Sequence, residues 1–121
     1  MSEHVEWTGS SGKTYTYIVV PWPAPLDFGV VDGNYICARL SPNGDWIPVH
    51  IGEGDLAAPN VDTHPCFNRL IEREVTHLHC HINDDPQARR REARDLVSAC
   101  RRDATRRSTA VTGGCATSLS R

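Results

Sequence analysis

No stretch of this 121-residue chain is apolar for long enough to span a membrane. Its beginning, Met1-Ser2-Glu3-His4-Val5-Glu6, is acidic and has no apolar core of the secretory kind. The expectation is a cytoplasmic protein with no membrane partner. A paired CxxC spacing is also missing. Cys37, Cys66, Cys80, Cys100 and Cys115 form an odd set, which argues against a disulfide framework or a zinc ribbon and for small core residues. No internal repeat is present. What is there suits one soluble domain: 39% hydrophobic and 23% charged residues, on a chain able to bury a modest core without metal or disulfide help.

The formal net charge is only −2, but it is unevenly laid out. Residues 1–87 carry four basic and twelve acidic side chains, and residues 88–121 carry nine arginines against three acids. Either the basic end is a solvated helix face with a charged tail, or it meets phosphate.

The chain is organised around a hairpin. Gly33 to Leu40 and Trp46 to Gly52 are rich in β-formers and flank Ser41-Pro42-Asn43-Gly44-Asp45, where Asn43-Gly44 tolerates the positive φ of a tight turn. Before it, residues 1–13 read as a polar lead-in whose Trp7 docks on the domain. Thr14 to Val20 has the β-branched and aromatic density of a strand. Pro21-Trp22-Pro23-Ala24-Pro25 is a rigid connector with Trp22 as a lid over the core. Pro48 marks an edge or irregularity in the second hairpin strand.

After Gly52, residues 53–60 read as a loop or a short helical turn stopped by Pro59. His64 to Glu74 reads as a short amphipathic helix with Phe67, Leu70 and Ile71 on its apolar face. Val75 to Ile82 alternates strictly, so His77, His79 and His81 share one strand face and Leu78, Cys80 and Ile82 the other. Asn83-Asp84-Asp85 and Pro86 then cap and start the main helix, Gln87 to Arg102, with Ala93, Leu96, Val97 and Cys100 as its stripe. Residues 14–102 thus form an α+β domain of four antiparallel strands and two main helices. Residues 103–121 have no period and read as a disordered tail.

The order of these elements, with Gly33-Asn34-Tyr35-Ile36 and His50-Ile51-Gly52 in the hairpin strands, resembles the GIY-YIG nuclease superfamily, and more narrowly its small bacterial single-domain members. The likeness extends over residues 7–100 through Trp7-Thr8-Gly9, Asp55-Leu56, His64-Pro65-Cys66, Val75-Thr76-His77-Leu78, Asn83-Asp84, Ala88-Arg89-Arg90 and Arg94-Asp95-Leu96-Val97. It implies a magnesium-dependent endonuclease hydrolysing phosphodiester bonds in DNA or RNA. Such chemistry needs a base for the attacking water, a cation for the phosphate and a carboxylate for the metal.

By that resemblance Tyr35 and His50 handle the proton, with Gly33, Ile51 and Gly52 as motif backbone. Glu92, one residue before the family's position at Ala93, is the magnesium ligand, and Arg89, Arg90 and Arg94 contact phosphate. The family's arginine falls at Pro59 or Asn60, where this chain has no cation. The alternative is a catalytically silent module of the same fold that binds nucleic acid or protein. Separately, His77, His79 and His81 form a His-x-His-x-His face able to hold zinc with His64 or Cys66 as outside partner, or simply a half-solvated sheet face.

Overall fold

The computed structural model describes residues 3–23, 31–60 and 66–107. His64 and Pro65, expected to open the first helix, lie outside them, as does most of the expected tail, residues 108–121. Five strands form one antiparallel sheet: β1 (Glu3–Thr8), β2 (Thr14–Pro21), β3 (Asp32–Leu40), β4 (Trp46–Asp55) and β5 (His77–Ile82). A 3-10 turn (Ala58–Asn60) and α1 (Phe67–Glu72) connect β4 to β5, and α2 (Pro86–Arg107) follows.

The α+β class stands, but with five strands rather than four. The added strand is β1, within the expected lead-in, paired with β2 from Glu3 opposite Val19 to Thr8 opposite Thr14. Val5 and Trp7 point inward from it, whereas Glu3, His4 and Glu6 do not pack on the core, so its composition is that of an edge strand. Strand order is β1-β2-β5-β3-β4, which places β5 between the two hairpins.

The β3–β4 hairpin turns at residues 41–45. Ser41 N–H donates to Asp45 O at 2.8 Å, and Gly44 holds the positive φ of 89° without help from Asn43. Its register sets Tyr35 opposite Gly52 and Cys37 opposite His50, with a shift between Cys37 and Ala38. That irregularity falls beside Pro48, which cannot donate to the ladder. β4 continues to Asp55 because Asp32 and Gly33 pair with Asp55 and Gly54, so residues 53–55, expected to be loop, are strand.

Strand alternation divides the core in two. One cluster joins Tyr35, Cys37, Val49, Leu56, Leu70, Val75, Leu78 and Cys80, closed by Trp22. Trp22 is the expected lid: its indole N–H donates to Pro59 O at 2.8 Å and its ring meets Phe67 at 5.2 Å. α1 contributes Leu70, while Ile71 is 54% exposed and not part of the apolar face assigned to it. The other cluster joins Tyr17, Ile36, Ala38 and Leu96 of α2.

α2 begins as expected, with Gln87 N–H donating to Asp85 Oδ1 at 3.1 Å and Pro86 in the first turn, where a missing N–H costs nothing. It runs on to Arg107, five residues into the expected tail. Of its expected stripe, Leu96 is buried, but the other deeply buried positions are Arg89 and Glu92. Of the cysteines, Cys37 and Cys80 are buried thiols, Cys66 is half-buried, and Cys100 is disulfide-bonded.

Candidate functional site

Tyr35 and His50 lie on the face covered by α1, two residues apart in register, with ring centroids 5.9 Å apart and planes tilted by 38°. They are brought together, but Tyr35 is 7% exposed and surrounded by the apolar cluster. Gly52 is required by that packing, since a Cβ there would stand 2.6 Å from Tyr35 Cζ and Oη. Gly33 is required by the sheet, since its Cβ would stand 2.2 Å from His81 O. Ile51 points to the opposite face, against the α2 cluster.

Glu92 is also on that opposite face. Tyr17 Oη donates to Glu92 Oε2 at 2.5 Å, and His81 Nδ1 donates to both carboxylate oxygens at 2.8 and 3.0 Å. The sheet therefore stands between Glu92 and the Tyr35–His50 pair. One helical turn later the device repeats: Tyr15 Oη donates to Asp95 Oδ2 at 2.8 Å. Two tyrosines alternating on β2 thus meet two acids spaced i, i+3 on α2.

Asp95 also accepts from Ser10 Oγ, Ser11 N–H and Ser11 Oγ. Burial alone would raise its pKa, but these hydrogen bonds together outweigh it and hold the carboxyl down to about 2. Burial, with the carboxylate beside it, pushes the Tyr15 hydroxyl up to about 12 and the Tyr17 hydroxyl higher still.

His79 occupies the middle of this face and is fully buried. Trp7 Nε1–H donates to its Nδ1 at 2.9 Å, which puts the ring proton on Nε2. Nε2 has no hydrogen-bond partner, and Trp46 meets the ring edge-on at 4.6 Å. Burial, then the nearby His77, lowers its pKa to about 4, so it stays neutral. The three strand histidines share a face but are differently engaged: His77 with Thr76 Oγ1, His79 with Trp7 and His81 with Glu92.

The arginines of α2 also divide. Arg89 is buried, its Nε–H donating to Glu53 Oε1 at 2.9 Å and its Nη1–H to Asn83 O at 3.0 Å, with Asp32 at 4.0 Å. The Glu53 contact raises its pKa further. Asn34 Nδ2–H donates to the Arg89 carbonyl, fastening β3 to the helix. Arg89 is a structural tie and does not face a ligand from outside. Arg90, Arg91 and Arg94 are exposed, as is Arg101, which was not among the expected phosphate contacts. Pro59, one of the two positions matching the family's arginine, is fully buried.

A magnesium ion needs several oxygen ligands in near-octahedral array. Glu92 is 4% exposed and its oxygens already accept from Tyr17 and His81. Among the described residues no three His, Cys, Asp or Glu side chains are grouped to hold a metal. The residues around Glu92 therefore do not fit magnesium. No helix among the described residues is long and apolar enough to cross a membrane.

Compared with known proteins, the chain matches no family model, no curated protein and no solved structure.

Proposed function

We propose that the chain is a GIY-YIG-like domain in which the nuclease site is not assembled, and which binds the phosphate backbone of DNA or RNA through the outer face of α2. The observation that carries this reading is the sorting of charge around the helix. Two of its acids, Glu92 and Asp95, turn toward the sheet and are bound by tyrosines. Arg90, Arg91, Arg94 and Arg101 stand exposed along about 16 Å of helix. A helix with eight arginines against three acids thus turns two of those acids inward and presents a cationic outer surface. Each arginine that neutralises a phosphate releases a counterion, which makes affinity fall with salt. Against hydrolysis stand the burial of Tyr35 and the position of Glu92 across the sheet.

The test is fluorescence anisotropy of the full chain with labelled DNA and RNA. Four phosphate contacts give a slope of log affinity against log salt of about −3 to −4, or roughly 100-fold weaker binding at 200 mM than at 50 mM salt. The double change Arg90→Glu and Arg94→Glu should abolish binding. Salt-independent binding, or binding unaffected by that change, overturns the reading. Magnesium-dependent cleavage abolished by Tyr35→Phe would instead favour the nuclease, which draws on the proximity of Tyr35 and His50.

A further inference from the structure

Where the β1–β2 turn meets α2 there is a cleft of about 360 Å³, walled by Lys13 and the hydroxyls of Ser10 and Ser11 on one side and by Arg91, Arg94 and Ser98 on the other. We infer, building on the reading of α2 as a nucleic-acid surface, that this cleft takes a terminal phosphate monoester of the bound strand.

Three cations from two separate elements line the cleft, and among the described residues none of them has a salt-bridge partner. The one anion present, Asp95 at the base, has its oxygens engaged by Ser10, Ser11 and Tyr15. The cleft thus carries about two uncompensated positive charges. A phosphate monoester carries between about −1.5 and −2 at neutral pH, whereas an internal phosphodiester carries one charge. The monoester is the better match, and it occurs at strand ends.

The donors for a phosphate are the cationic side chains, since the Ser10 and Ser11 hydroxyls already donate to Asp95. Gly9 N–H is taken by Lys13 O, Ser10 N–H by Asp95 O, Gly12 N–H by Gly9 O and Ser11 N–H by the Asp95 carboxylate, so the glycine-rich turn offers no nest of backbone amides. Guanidinium groups suit this task because their planar fork can grip two phosphate oxygens at once. The cleft volume is that of a small-ligand site and admits the terminal sugar along with the phosphate. Arg91 and Arg94 belong to both the cleft and the outer face of α2, which makes the cleft continuous with the surface the strand would follow.

The experiment compares 12-nucleotide strands that differ only in a 5′-phosphate, a 3′-phosphate or hydroxyl ends, with adenosine monophosphate as a separate probe. One phosphate-bearing end should bind about tenfold more tightly than the hydroxyl-ended strand, the gain of one charge-assisted contact. Lys13→Gln, at an exposed turn position, should remove that preference while hydroxyl-ended binding persists, and Arg90→Gln, outside the cleft, should weaken all strands alike. Equal affinity for all ends overturns the cleft assignment and leaves α2 as a nucleic-acid surface. Binding of adenosine monophosphate without any strand binding overturns the strand-end assignment and the α2 reading together.

Discussion

The two faces of the sheet are closed in different ways. Under α1, contacts are mostly between carbon atoms, and the polar Tyr35 ring is packed as an apolar body across Gly52. Under α2, the same sheet is closed by directed bonds: Tyr17 and His81 on Glu92, Tyr15 on Asp95, Trp7 on His79, Asn34 on the Arg89 carbonyl. The α1 side is closed mainly by apolar packing, whereas the α2 side depends on paired donors and acceptors. The residues that resemble a nuclease motif are split between these two environments, so they do not converge on one point.

Three measurements would sharpen the contrast, beginning with the largest effect. Leu78 is fully buried at the centre of the α1 face, and Leu78→Ala should cost about 3–4 kcal/mol in urea unfolding, combining lost transfer energy with a cavity. That loss should be the same at pH 5 and pH 8.

On the α2 face the largest effect is one of pH. Native His79 stays neutral down to about pH 4, whereas in the unfolded chain it protonates near 6.5. Between these values the unfolded state binds more protons, so stability is full above about 6.5 and falls toward pH 4, by about 3 kcal/mol at most. His79→Gln should flatten this window. A second loss, between about pH 4 and 2, belongs to Asp95, whose lowered pKa stabilises the fold only while the carboxyl is ionised. Unfolding midpoints that stay level from pH 7 to 4 would show that His79 protonation does not limit stability there.

The smallest effects compare the paired tyrosines. Tyr17→Phe leaves a buried carboxylate short of a donor and should cost about 2 kcal/mol. Tyr15→Phe should cost about 0.5–1 kcal/mol, because Asp95 keeps its bonds to Ser10 and Ser11. Equal losses would mean that the two bonds do not differ as their burial indicates.

Much of the scaffold was legible because it is written in local signals. Gly44 marked the hairpin, Pro48 the irregularity, Asp85-Pro86 the start of α2 and the alternating histidines β5. β1 was not legible, because an edge strand with Glu3, His4 and Glu6 needs only Val5 and Trp7 as apolar anchors. The end of β4 was hidden for another reason: Glu53-Gly54-Asp55 has poor strand propensity and is held extended by its pairing with β3. The position of Glu92 lay beyond sequence reading, since helix rotation is decided by which tyrosines receive its acids. The spacing of Tyr15 and Tyr17 against Glu92 and Asp95 was the available signal, and it becomes meaningful only once β2 and α2 are known to touch.

The place of β5 has a consequence for the order in which the molecule forms. β1–β2 and β3–β4 each close through a short turn, but they share no ladder with one another; β5 pairs with β2 on one side and β3 on the other. Until residues 77–82 are synthesised, the two hairpins have facing edges with no strand between them, and the sheet has no continuous middle. Insertion of β5 is thus the step that turns two local hairpins into one cooperative unit, at the loop-closure cost that slows non-local pairing. The strand that completes the sheet is the one bearing His77, His79 and His81, so the polar face cannot be assembled before the fold itself is closed.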